Sequence, residues 1–369
     1  MCMPITEKPT SNNSSLNNQT ALQMQNVLTQ LSKQVNRVFV TGAGGFLGHA
    51  LCAHLCSAGI KVVGFSRNTY PALSKLGVNF IQGDITDKQT LLTAMQGCDL
   101  VFHVASKAGV WGDKASYFSP NVDGTENIIN ACQTLNIEHL VYTSTPSVTF
   151  TGEDENGINE SQPYADKFLN FYGLSKAIAE QKVLNANGSL LANNKTLKTT
   201  ALRPHLIWGP NDPHLVPRVL ERAKAGKLKL VGNKDKLVDT IYIDNAVYAH
   251  LLAAVTLNEA DSPCAGKAYF LSNDEPILMA DMLNKILACK NMTPIKKRVP
   301  ARIAYLVGAL LEWIYIALKK QDEPIMTRFV ARQLSTSHYF DISAAKADLG
   351  YLPLISIEQG MEKLKASLN

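Results

Sequence analysis

Little in this chain is charged: Asp, Glu, Lys and Arg make up 18% of its 369 residues, and aromatics only 7%. No dense block of Lys or Arg occurs. A net charge of +5 and a pI near 8.7 are too mild for a nucleic-acid-binding protein, so no nucleic-acid partner is expected. The small positive excess does suit an anionic substrate or membrane surface. Seven cysteines, an odd number at irregular spacing with no CxxC, do not make a disulfide framework. Cys52 and Cys56 fall one helical turn apart, but no His/Cys pair follows at zinc-site spacing. They read as small buried helix residues, no metal is expected, and the pattern suits a reducing cytoplasm. The first 35 or so residues lack the apolar core and small-residue cleavage site of a signal peptide. One apolar stretch stands out, Ile303–Leu318, but its 16 residues are interrupted by Glu312. That is short of the roughly 20 residues a membrane crossing needs. Three readings of it stay open: a buried helix, a helix lying on the inner membrane as a peripheral contact, or the lining of a greasy substrate tunnel, with Lys319 and Lys320 at its polar end.

What is present is a globular composition, 46% hydrophobic, in a chain long enough for one large domain and a smaller one. Residues 1–35 read as an extension rich in Asn, Ser, Thr and Gln, disordered from Met1 to about Ser15 and helical from Ala21 to Gln34. From Arg37 onward, strands and helices alternate. Strands are expected at Arg37–Thr41, Lys61–Phe65, Asn79–Gln82, Leu100–Val104, Leu140–Thr143 and Thr199–Leu202. Helices are expected at Phe46–Ser57, Asn121–Leu135 and Phe171–Leu184. Near-continuous Val/Ile/Leu/Phe strands between helices predict an α/β fold, a Rossmann-type doubly wound parallel sheet covered on both faces. It occupies residues 36–205. Past Pro204 the alternation weakens into a mixed α/β part, 206–369, mainly for substrate, with some segments returning to the sheet.

Gly42, Gly45 and Gly48 follow the first strand directly, and Phe46 and Leu47 open the next helix. In that context the glycines allow a tight turn and a close backbone approach to a pyrophosphate, which the helix N-terminus then attracts. Asp84, followed by Ile85, ends the third strand and is placed to accept a hydrogen bond from adenine. The end of the second strand, Gly64-Phe65-Ser66-Arg67-Asn68, carries no acid for the ribose hydroxyls. Arg67 and Ser66 suit a 2′-phosphate instead, which predicts NADPH over NADH. Tyr172 and Lys176, four apart, share one helix face. A lysine ammonium lowers a neighbouring phenol's pKa and can hold ribose hydroxyls, leaving Tyr172 to protonate a carbonyl oxygen. A third hydroxyl is expected from Thr143-Ser144-Thr145-Pro146-Ser147.

With these motifs, from the TGxxGFLG turn through His103-Val104-Ala105, Asn121-Val122-Asp123-Gly124-Thr125, Tyr142-Thr143-Ser144, YxxxK and Leu202-Arg203-Pro204, the chain resembles an extended short-chain dehydrogenase/reductase. The branch is that of the 3β-hydroxysteroid and sterol-4-carboxylate 3-dehydrogenases, over Arg37 to about Leu364. The resemblance implies that Thr145 or Ser144 supplies the third catalytic hydroxyl, beside Tyr172 and Lys176. It also implies that His103, Ala105 and Pro204 lie at the cofactor and that Asn121 organises the site. The stretches Val104–Gly112 and Tyr142–Phe150 resemble more closely the bacterial reductases of 2-alkyl-3-oxoalkanoates in long-chain olefin biosynthesis. That likeness implies a β-keto acid with two long alkyl chains as substrate, Trp111 beside it, and assembly with β-lactone-forming and decarboxylating enzymes of the same pathway. A homodimer is a further expectation. Lys107, just past the fourth strand, is placed to pair with the substrate carboxylate. Competing readings are a steroid or sterol dehydrogenase, a nucleotide-sugar epimerase or dehydratase, and a non-catalytic NADP-binding regulator. His205 and His214 receive no role.

Overall fold

The structure, a computed structural model, describes residues 11–320 and 322–369. Seven parallel strands form its main sheet: β1 Arg37–Thr41, β2 Lys61–Ser66, β3 Asn79–Gln82, β4 Leu100–His103, β5 His139–Thr143, β6 Thr196–Pro204 and β7 Ala268–Leu271. Their order across the sheet is β7-β6-β5-β4-β1-β2-β3, each of these pairs parallel, and an eighth short strand, Ser189–Leu190, adds antiparallel to the start of β6. The chain starts in the middle and winds outward in both directions, as the predicted doubly wound sheet requires. Side chains of a strand alternate between faces. Val38 and Val40 therefore join one apolar cluster, with Leu100, Phe102, Val141 and Leu202, while Phe39 between them joins another, with Val101, Leu140 and Ala201. Both faces are dry, which is why these strands are apolar throughout.

Helices α1 Ser11–Gln34, α2 Phe46–Ser57, α3 Gly124–Leu135, α4 Phe171–Asn185, α5 Leu215–Lys224, α6 Ile243–Leu257 and α7 Ala301–Ala317 carry the rest of the argument. α6 is buried along almost its whole length, and α1 packs on it through Val27, Leu28 and Leu31. The predicted tail differs from this: helix α1 already includes Ser11–Ser15, and the residues before Ser11 lie outside the described ones. The predicted start of a helix at Asn121 also differs. A short helix runs from Lys114 to Phe118 and a π turn from Ser119 to Asp123, before α3. Pro120 in that turn has no N–H to give, and the turn widens around it.

The larger correction concerns Ile303–Leu318. Of its open readings, burial fails: α7 turns Leu306, Leu310, Trp313 and Ile316 to the outside, and Leu318 just beyond it is also exposed. No described helix is long and apolar enough to cross a membrane. A small mixed sheet joins Glu155–Ile158, which precedes β6, to Leu237–Val238, Ile277–Leu278 and His338–Phe340, which follow it, while β7 returns to the edge of the main sheet.

Candidate active site

A cavity of about 500 Å³ opens over the carboxyl ends of the strands, where the strand order reverses between β1 and β4. Ligands of such sheets bind at that point. Gly42 after β1, Ser66 and Arg67 at β2, Asp84 after β3, Ala105 after β4, Thr143 to Thr145 at β5 and Pro204 at β6 all line it.

The glycine turn is built to let a ligand close. Gly42 has φ +66°, and a Cβ there would lie 2.9 Å from the Ala105 backbone. A Cβ on Gly48 would lie 2.1 Å from the Gly42 carbonyl oxygen, so α2 starts hard against the turn. No side chain caps α2, which opens from Gly45 into Phe46 and Leu47 at the cavity wall. Its first N–H groups are thereby kept for an anion. Ser66 Oγ accepts from Gly44 N at 3.2 Å, while Arg67 stands exposed at the rim. Asp84 uses Oδ1 to hold Thr86 N and Oγ1, at 2.9 and 2.8 Å, and Ile85 beside it packs against Gly124. A glycine cradle and an uncapped helix start fit the pyrophosphate of a dinucleotide.

The far wall carries the hydroxyl chemistry. Tyr172 sits in the first turn of α4, whose N-cap Asn170 accepts from Gly173 N at 2.8 Å. Burial pushes its phenol above the usual value, and a hydrogen bond with the Thr145 side chain acts in the opposite direction. Ser144 Oγ is buried and has no protein partner among the described residues. Lys176 behaves differently from the expectation that its ammonium acts on the phenol. Its Nζ donates to the Thr143 carbonyl at 2.6 Å and lies 4.1 Å from the centre of the Tyr142 ring. Burial pulls it down to about 7, with Glu180 opposing. Lys176 is not in the cavity wall but directly behind it.

Two other predicted residues also stand outside the wall. His103 is fully buried, bonded to Thr41 Oγ1 at 2.8 Å and Thr125 Oγ1 at 2.9 Å, and burial drives it down to about 3. Thr41 Oγ1 in turn accepts from Ala105 N at 3.0 Å, so His103 shapes the floor as a neutral ring. Trp111 points away: its indole meets the Tyr315 ring edge-on at 5.9 Å and donates to the Lys320 carbonyl at 3.3 Å. Lys107 does line the cavity, but its Nζ donates to Ser116 Oγ at 2.6 Å and lies 4.6 Å from the Tyr117 ring centre.

Of the residues that position this site, Asn121 stands in a motif of the resemblance, whereas Glu180 and Tyr70 stand in none. Asn121, buried in the π turn, holds the Lys107 backbone from both sides, at 2.7 and 3.1 Å, and donates to Ser175 Oγ on α4 at 3.0 Å. Glu180, one turn past Lys176, forms a buried ion pair with Arg203 on β6 and accepts from Tyr164. Its spacing from Tyr172 and Lys176, eight and four, is the one signal the sequence offers. Tyr70, over Gly44, and His214, Leu206 and Leu215 complete the wall. His205 instead lines a small separate cavity with His338 and Glu155.

A doubly wound sheet with a glycine turn at its switch point and a tyrosine and hydroxyls on the opposite wall, backed by a buried lysine, is the architecture of a dinucleotide-dependent oxidoreductase. The chain belongs to the 3-beta hydroxysteroid dehydrogenase/isomerase family, whose model matches residues 39–300. It is 65% identical over 345 residues to the 2-alkyl-3-oxoalkanoate reductase of Shewanella oneidensis, covering 93% of this chain and 89% of that one. To the protein of the same name from Stenotrophomonas maltophilia it is 47% identical over 333 residues, covering 90% and 99%. Among solved structures it is similar in fold to the UDP-glucuronic acid 4-epimerase of Bacillus cereus in complex with NAD. There the TM-score is 0.67 at 22% identity, over 90% of this chain and 98% of that one.

Proposed function

We propose that this oxidoreductase reduces 2-alkyl-3-oxoalkanoates to 2-alkyl-3-hydroxyalkanoates with NADPH. The observation that carries the reading is one cavity, lined at one end by the glycine cradle and Arg67 and at the other by Tyr172, Thr145 and Ser144. The 65% identity to a reductase of that name selects the substrate class. Gly42, Gly45, Gly48 and the start of α2 would hold the pyrophosphate. Ser66 and Arg67 would hold a 2′-phosphate, and Asp84 the adenine. A bound nicotinamide supplies the hydride that C3 of the keto acid accepts.

The chain's own groups handle the oxygen and its proton. A phenol whose pKa burial has raised stays protonated at neutral pH and has its proton to give to the C3 oxygen. Thr145, beside that phenol on the cavity wall, shares the developing negative charge, and Ser144 Oγ offers a further donor on the same wall. Lys176 fixes α4 to the end of β5 through the Thr143 carbonyl, which keeps Tyr172 and Thr145 in register. Lys107, with its ammonium at the cavity edge, pairs with the substrate carboxylate. The product is a secondary alcohol, with one hydride and one proton added across the carbonyl. On this reading the reaction belongs to long-chain olefin biosynthesis, before enzymes that close a β-lactone and remove carbon dioxide, and the likeness to the two named reductases supports it.

The test is a comparison of kcat/KM for a 2-alkyl-3-oxo acid and a 3-ketosteroid, each with NADPH and NADH. Preference for the keto acid with NADPH is the expected result. A preference for the steroid with NAD would return the chain to the sterol reading.

A further inference from the structure

Helix α7 has its polarity inside out. The face packed on the protein carries Ala304, Gly308 and Glu312, spaced one turn apart. A Cβ on Gly308 would lie 2.6 Å from the Thr327 carbonyl carbon, and Glu312 accepts from Arg328 N and Nε at 2.6 Å each. The outward face carries Ile303, Leu306, Val307, Leu310 and Trp313, at i, i+3, i+4, i+7 and i+10. Leu306 is 67% and Trp313 68% exposed, and Ile316, Leu318 and Ile325 extend the apolar surface. Soluble surfaces rarely leave so many large apolar side chains side by side, because removing each from water is favourable.

Charge decides what covers this face. From 296 to 320 there are six basic residues, Lys296, Lys297, Arg298, Arg302, Lys319 and Lys320. The one acid there, Glu312, is turned inward onto Arg328. The cations stand at both ends of the apolar strip. A second copy docked on the same face would oppose cations to cations in either orientation. An anionic lipid surface meets both features at once: acyl chains for the strip and headgroups for its ends.

We propose that α7 lies in the plane of an anionic membrane with Leu306, Leu310 and Trp313 inserted, and that the catalytic cavity opens beside it. Two chain segments that line the cavity run directly to the end of α7. Val104–Ala108 leads to Trp111, which bonds Lys320, and Leu215 leads to Arg218, which pairs with Glu323 at 2.8 Å. On the function proposed above, a substrate with two long alkyl chains reaches the cavity from the bilayer without crossing water.

The full chain is mixed with phosphatidylcholine vesicles, with and without 30% phosphatidylglycerol, and its flotation and tryptophan emission are followed. The comparison is the triple variant Leu306→Gln/Leu310→Gln/Trp313→Gln. All three positions are exposed, so unchanged circular dichroism and melting are expected. Partitioning onto the phosphatidylglycerol vesicles should be at least tenfold stronger for the native chain than for the variant, should weaken in 0.5 M salt, and should shift the native emission to the blue. Equal partitioning of the two proteins, or none by either, overturns the proposal. So does a dimer in sedimentation velocity that the variant abolishes while native vesicle binding is absent, which assigns the face to a second copy. These readouts need no substrate, so failure here leaves the reductase assay standing, and the reverse.

Discussion

At the scale of single residues, the proposed reaction rests on Tyr172 for the proton and on Arg67 for the cofactor preference. Tyr172→Phe keeps the ring in α4 and removes only the phenol oxygen beside Thr145. Expected is a fall in kcat of about 10²–10⁴-fold with NADPH affinity nearly unchanged, read by steady-state rates beside a cofactor titration. Arg67 is exposed and contributes to no buried pair, so Arg67→Ala should leave stability alone while bringing kcat/KM for NADPH down toward that for NADH. A variant that still preferred NADPH as strongly would move the 2′-phosphate contact elsewhere. The glycines, Arg67 and the Tyr/Lys pair were legible in the sequence because their chemistry depends on residues close together in the chain. What Lys176 touches was not legible. Its partners are the Thr143 carbonyl and the Tyr142 ring, on a strand 33 residues earlier. Nor was the direction of Trp111, whose partners Tyr315 and Lys320 lie some 200 residues away.

At the scale of elements, the catalytic helix is held to the sheet by charge as well as packing. Glu180 on α4 and Arg203 on β6 are 0% and 4% exposed, and the guanidinium also lies over Phe270 on β7. Removing one partner of such a pair leaves the other buried and uncompensated, which typically costs 3–5 kcal/mol. Glu180→Gln should therefore lower the unfolding free energy, read by urea denaturation, by that order, whereas double replacement of Glu180 and Arg203 by apolar residues should recover part of the loss. The edges of elements were the poorly legible part. β6 runs to Pro204 and begins at Thr196, beyond the predicted Thr199–Leu202, because its ends pair with neighbours that composition does not reveal. For α7 the apolar content was plain. The spacing of Ala304, Gly308 and Glu312 held the answer to which face is buried, but only the opposing backbone at Thr327 makes that spacing meaningful.

At the scale of the whole molecule, several buried acids give stability a dependence on pH. Burial lifts Glu155 to about 7, against a hydrogen bond from Thr149 Oγ1 at 2.8 Å. The folded state keeps this proton where the unfolded chain has already released it. The side chain is therefore harmless to stability below about pH 4.5, increasingly destabilising as pH rises toward 7, and a constant penalty above that. Glu155→Gln keeps an acceptor for Thr149 and removes the titration. The difference in unfolding free energy between variant and native chain should be small at pH 4.5 and grow to about 3 kcal/mol in the variant's favour by pH 8. A difference that does not change with pH would mean Glu155 is not held neutral.

The outward face of α7 sits outside this economy. Its leucines and tryptophan contribute almost nothing to the folded state, since water reaches them before and after folding. A library of substitutions selected only for folding should therefore accept polar residues at 306, 310 and 313 freely, and even enrich them for solubility. The same library selected for turnover in living cells should lose them. Where those two selections part company, inheritance rather than stability keeps the face greasy.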